Sequence, residues 1–124
     1  HSAAMGGFLP FEGTNEATFW SYFENNVLGV SKTPQAALRH FPKTGGSIVN
    51  IGTISSTNPV PMTYAYSASK AAIDTLSLAL SKELGPRNIR VNVVAPGYTV
   101  TDITRGAVDT DFVRMPVVVS QHLP

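Results

Sequence analysis

Tyr66 and Lys70 stand four residues apart in Tyr66-Ser67-Ala68-Ser69-Lys70, and Thr53 precedes the tyrosine by thirteen residues, at the end of a short apolar run. On a helix a spacing of four puts two side chains on one face, so the Lys70 ammonium stands beside the Tyr66 phenol and favours its ionised form. A free phenol holds its proton until about pH 10, and becomes a working acid and base only with such help. The pair therefore points to proton transfer, with the Thr53 hydroxyl as a hydrogen-bond donor nearby. A tyrosine packed at a sheet edge and a solvated helix lysine are the plain alternatives; Ala and Ser on either side of Lys70 make the second less comfortable.

The elements around these residues read as α/β. Ser47 to Ile51 and Arg90 to Val94 are short and β-branched, as in strands of a parallel sheet covered on both sides. Between them the pattern predicts one helix from about Tyr64 to Leu84, stopped by Gly85-Pro86, which makes a βαβ unit with a right-handed crossover. Ile73, Leu76, Leu80 and Leu84 form the stripe expected to pack on the sheet, while Ala68, Ala71, Ala72, Thr75, Leu78 and Ala79 leave the opposite side small and uncharged. A helix apolar on both sides is normally covered on both, so a subunit contact is expected there.

Upstream, Thr14 or Asn15 is placed to cap a helix whose buried stripe is expected to be Phe19, Trp20, Phe23, Val27 and Val30. Gly29 and Pro34 predict a bend between Asn26 and Pro34 before the Ala36 to Phe41 segment resumes, since proline removes a backbone donor and clashes one turn back.

Taken in order, Asn26-Val27-Leu28-Gly29, Ser47-Ile48-Val49-Asn50-Ile51-Gly52-Thr53, Tyr66 to Lys70, Arg90-Val91-Asn92-Val93-Val94-Ala95-Pro96-Gly97 and Thr101-Asp102 resemble the catalytic half of a short-chain dehydrogenase/reductase. The resemblance covers most of the chain. It implies a partial Rossmann-like, doubly wound parallel sheet, and an enzyme moving hydride between NAD or NADP and a carbonyl or secondary alcohol. It implies catalytic roles for Asn26, Thr53, Tyr66 and Lys70: Thr53, where the family usually has serine, polarises the substrate oxygen, Tyr66 transfers the proton, and Lys70 tunes the phenol and holds the nicotinamide ribose. By the same resemblance, the backbone of Asn26 would hold a water of a proton relay. Asn25 competes for that position, and Ser55 and Ser56 could in principle substitute for Thr53. The cofactor would contact Tyr66, Lys70, Pro96, Gly97, Thr99 and Thr101, with the Asp102 to Pro124 segment forming part of a mobile flap.

The family subunit is roughly twice as long, so residues 1 to 124 are expected to form one partial domain, with the upstream phosphate-binding segment and the downstream end missing. No Gly-x-x-x-Gly-x-Gly or Gly-x-Gly-x-x-Gly occurs, and Gly45-Gly46 precedes a strand, the wrong side for a phosphate turn. The other readings are a non-catalytic fragment or pseudoenzyme serving as an interaction module, and an epimerase or dehydratase of the extended branch, which shares Tyr-x-x-x-Lys.

A net charge of +1 without a dense basic run excludes an electrostatic footprint for nucleic acid or anionic membrane. No apolar stretch approaches the roughly 18 residues of a membrane span. With no cysteine, thiolate chemistry is excluded, and His1, His40 and His122 lack ligand spacing, so no metal is expected. Asp109 and Asp111 read as solvated loop carboxylates. The resulting expectation is a cytoplasmic homodimer or homotetramer acting on a small-molecule carbonyl or alcohol.

Overall fold

The structure, a computed structural model, describes residues 4–99 and the strand Val118–Ser120. It is α/β. Helix α1 (Glu16–Phe23) runs through a π-helical turn, Glu24–Leu28, into α2 (Gly29–Ala37) and a short 3-10 turn, Leu38–His40. Strand β1 (Gly46–Ile51) then leads through a 3-10 turn, Ile54–Ser56, to the long helix α3 (Tyr64–Leu84), and β2 (Ile89–Ala95) follows. β1 and β2 are parallel, in register from Gly46 opposite Ile89 to Ile51 opposite Val94. The backbone of β3 (Val118–Ser120) pairs antiparallel with the end of β2, giving the order β1-β2-β3. Among the described residues no helix is long and apolar enough to cross a membrane.

Each element begins and ends for local reasons. The Asn15 side chain accepts the Thr18 N–H at 2.8 Å and caps α1, satisfying a donor that the first helical turn leaves without a partner. At the base of the sheet, the Gly46 N–H donates to the Asn88 carbonyl at 3.0 Å. Gly45 holds φ at +95°, and a Cβ there would run into that same carbonyl, so the turn into β1 requires glycine. Asn88 turns the chain into β2 at a φ of 57°, a conformation that asparagine tolerates.

The core lies between the sheet and the helices. Ile48, Leu84, Ile89 and Val91 form a buried cluster against which Leu38, Phe41 and Leu80 pack, each large apolar side chain contributing about 1.5–3 kcal/mol by leaving water. Strand alternation puts Ile48 and Asn50 of β1, and Ile89, Val91, Val93 and Ala95 of β2, on this face.

Two expectations are corrected. The sheet is not covered on both sides within the described residues: Ser47, Val49, Arg90, Asn92 and Val94 alternate to the other face, where Val49 remains 42 % exposed. Nor is the α1 stripe the one expected. Trp20 is 56 % exposed and Phe19, Phe23 and Val27 are half-buried, while Tyr22, Asn26 and Val30 are buried. These three are also four residues apart, and the hydrogen-bonding capacity of Asn26 decides which face turns inward. Phe19, Trp20 and Phe23 instead pack on one another, with centroids 5.1–6.1 Å apart.

The bend expected between Asn26 and Pro34 is corrected too: the irregular turn is earlier, the π-helical Glu24–Leu28, and α2 runs on regularly through Gly29 with Pro34 inside it. In α3, Ile73 and Leu84 are buried and Leu76 and Leu80 half-buried, while Ser67, Ser69, Ser77 and Ser81 supply the rest of the inner face. Ala68, Thr75 and Ala79 are exposed.

Candidate active site

Two of the groups singled out in the sequence, Thr53 and Lys70, meet at the carboxyl end of β1. Thr53 follows the strand and is 8 % exposed. Its Oγ1 accepts the Ser55 N–H at 3.3 Å and thereby caps the 3-10 turn, which leaves the hydroxyl proton free to donate. Ser56 Oγ donates to the Thr53 carbonyl at 2.8 Å, so one of the two rival hydroxyls serves the loop itself.

Lys70 reaches the same strand end from α3. Its Nζ donates to the Ile51 carbonyl at 2.9 Å, two residues before Thr53, and the side chain is only 4 % exposed. Burial pushes the amine below its ordinary lysine value, while the carboxylate of Asp74, one turn further along α3, pushes it back up. One N–H of the ammonium is used on Ile51, and its other two have no partner among the described residues.

Tyr66 lies one turn before Lys70 and is half-buried, and no described group hydrogen-bonds its hydroxyl. Gly6 runs beside the ring: a Cβ there would meet Tyr66 Cε2 at 3.6 Å. The next residue, Gly7, has φ +153° and lies beside the Tyr22 hydroxyl. Tyr22 is a buried phenol that sequence reading overlooked; burial pushes it up from the usual tyrosine value.

Asn26 and Asn25 differ in what their side chains hold. Its Oδ1 accepts the Met5 N–H at 2.7 Å, and its Nδ2 donates to the Met5 carbonyl at 2.9 Å and to Ser69 Oγ at 2.9 Å. The side chain thus clamps the 4–7 segment to α3 at the turn between Tyr66 and Lys70. Ser69 completes the link by donating to the Tyr66 carbonyl at 2.7 Å. Asn25 is exposed and bonds back to the Ser21 carbonyl at 2.7 Å. Asn26 also sits within the π-helical turn, a backbone irregularity frequent at functional sites.

The Pro96-Gly97 turn leaves β2 beside these groups, with the Pro96 carbonyl accepting the Ile54 N–H at 3.1 Å. Thr99 is exposed; Thr101 and the segment expected to form a flap lie outside the described residues, apart from the backbone of β3. An open groove of about 560 Å³ between the 55–62 loop and the first turns of α3 is lined by Ser55, Val60, Met62, Tyr64, Ala68 and neighbours. Thr53, Tyr66 and Lys70 do not line it, so it is distinct from the collected polar groups.

Chemically, the edge combines a hydroxyl with a free proton and a buried amine at the carboxyl end of β1, with Tyr66 one helical turn before that amine; open α/β sheets bind ligands at such strand ends. Carbonyl reductase family member 4 of Danio rerio is 43% identical over 94 residues, covering 76% of this chain and 40% of the relative. A gluconate 5-dehydrogenase of Burkholderia cenocepacia, solved with NADP and tartrate, superposes with a TM-score of 0.82 at 26% identity, over 90% of this chain and 44% of that one. A 4-hydroxyisoleucine dehydrogenase mutant complexed with NADH and succinate gives 0.83 at 26% identity, over 90% and 47%. The chain spans about 40% of the length of the curated relatives it matches. The short chain dehydrogenase family model matches residues 1–111, and the protein belongs to that family.

Proposed function

We propose that this chain is the catalytic half of a nicotinamide-dependent oxidoreductase acting on a carbonyl or secondary alcohol. The observation that carries the reading is the Lys70 Nζ bond to the Ile51 carbonyl, which ties the Tyr66-Lys70 turn of α3 to the strand end bearing Thr53. Relatives named as a carbonyl reductase and as dehydrogenases support the reaction class.

The described residues suit the nicotinamide end of such a cofactor. Lys70 keeps two N–H donors for ribose hydroxyls. Gly6 borders the Tyr66 ring, and the Pro96-Gly97 backbone borders the strand end. Thr99 and Thr101 would hold the carboxamide. When bound, the nicotinamide supplies the hydride in reduction and takes it up in oxidation. Thr53 donates a hydrogen bond to the substrate oxygen, and Tyr66 gives that oxygen its proton. The Lys70 ammonium stabilises the phenolate left behind, and Asn26, through its backbone in the π-helical turn, belongs to the path that reloads it. NADP and NADH each occur among the structural neighbours, and either is compatible with these residues.

The uncovered side of α3, the adjoining groove and exposed Phe11, Trp20 and Met62 support a homodimer or homotetramer joined there. A second reading, a non-catalytic interaction module, is favoured by the uncovered side of α3, where Ala68, Thr75 and Ala79 are exposed. Nicotinamide fluorescence on mixing the 124-residue chain with NADH separates the two contributions: no saturable binding is expected from this half alone, and micromolar or tighter binding would show that it needs no upstream segment. In the full-length enzyme carrying these residues, Tyr66→Phe is expected to lower carbonyl-dependent oxidation of the reduced cofactor by about a hundred- to ten-thousandfold while cofactor affinity stays within a few-fold. Near-normal turnover would remove Tyr66 from the chemistry.

A further inference from the structure

The spacing of four that joins Tyr66 to Lys70 continues one turn further to Asp74, a carboxylate without a part in the proposed chemistry so far. Its Oδ1 lies against the backbone of Gly52: a Cβ built on that glycine would be 3.1 Å from the oxygen and 2.7 Å from Val93 Cγ1. Gly52 directly follows Ile51, whose carbonyl holds the Lys70 amine, and its own N–H is tied to the Val94 carbonyl at 2.8 Å. Carboxylate and amine thus approach the same two-residue stretch of backbone from successive turns of α3, and the missing side chain at position 52 makes the room.

We propose that Asp74 is a positioning residue for Lys70, a carboxylate that keeps the amine protonated and directed at the strand end, in the space left by Gly52. The inference rests on the catalytic reading of Lys70. The physical need is plain. An amine as buried as Lys70 is driven toward its neutral form by desolvation, and a neutral amine offers the Tyr66 phenolate no opposing charge. The groups placed near Lys70 are the Ile51 carbonyl, which accepts from its amine, and, along α3, Tyr66 one turn before it, Ser69 beside it in its bond with Asn26, and Asp74 one turn after it. Of these only Asp74 is a negative charge that opposes desolvation.

The test is a pH titration of the Lys70 side chain by NMR in the lysine-labelled full-length protein carrying these residues, comparing wild type, Asp74→Asn and Asp74→Glu. Asp74→Asn keeps the shape and removes the charge. Its Lys70 midpoint is expected below that of wild type, and Asp74→Glu is expected to restore most of the difference, a rescue that a purely structural role would not produce. A Lys70 midpoint unchanged by Asp74→Asn overturns the proposal. Turnover does not enter this measurement, so its failure is distinct from failure of the oxidoreductase reading. An unmoved midpoint beside a large Tyr66→Phe defect discards Asp74 alone. A moved midpoint beside full Tyr66→Phe activity keeps the Asp74–Lys70 coupling and discards the catalytic reading on which its purpose rests.

Discussion

The two ends of α3 are built on opposite principles. At its amino-terminal end, buried Ser67, Ser69 and Lys70 are matched by individual hydrogen bonds to Thr63, Asn26 and the Ile51 carbonyl. Toward its carboxyl end, Leu80 and Leu84 meet Ile48, Ile89 and Val91, with Leu38 and Phe41 closing the cluster. Hydrocarbon burial is nondirectional and stabilises in proportion to area. A buried hydrogen bond adds little net stability but is costly when broken on one side. The helix therefore anchors the fold at one end and specifies positions at the other. Between them, Asn50 donates to Ser77 Oγ at 2.9 Å, while its buried Oδ1 has no hydrogen-bond partner among the described residues.

That contrast can be broken deliberately. Leu84→Ala is expected to have the largest effect on stability, a loss of about 2–5 kcal/mol read from the urea midpoint. The hydrogen bonds around Asn26 should survive in the variant wherever it remains folded. Asn26→Ala should cost less, about 1–3 kcal/mol for stranded partners, and should selectively speed amide exchange at Met5. If Asn26→Ala proved as damaging as Leu84→Ala, the polar end would be an anchor too.

The smallest effect is a pH slope. Because burial lowers the Lys70 pKa in the folded state, the unfolded chain binds more protons between that lowered value and the unfolded one, about 10.4. Stability attributable to Lys70 therefore rises with pH across this window, by at most about 1.4 kcal/mol per pH unit. Tyr22, raised by burial, acts oppositely as pH passes the ordinary tyrosine value, so wild type and Lys70→Met are compared at each pH. Their difference should move in favour of wild type as pH rises; a constant difference would show that Lys70 titrates alike in both states.

Much of this was legible beforehand, for identifiable reasons. The limits of α3 are written locally, in a run without proline or glycine closed by Gly85-Pro86, and the β-branched strands are legible to within a residue or two. The aromatic stripe of α1 misled because hydrophobicity favours Phe19, Trp20 and Phe23, whereas the buried face follows the hydrogen-bonding needs of Asn26. Tyr22-Asn26-Val30 carried the signal at the same spacing, and so did Asp74 behind Lys70.

The order and spacing of the motifs alone determined the family, the βαβ unit and the placing of Tyr66 and Lys70 one turn apart on a helix, because those depend on motif order, helical periodicity and short-range chain geometry. Tertiary structure decided which asparagine turns inward and which carbonyl receives the Lys70 amine. Those choices depend on groups up to 43 positions apart in the chain, as Asn26 and Ser69 are, and only packing of the π-helical turn, the strand end and α3 brings such groups within hydrogen-bonding distance.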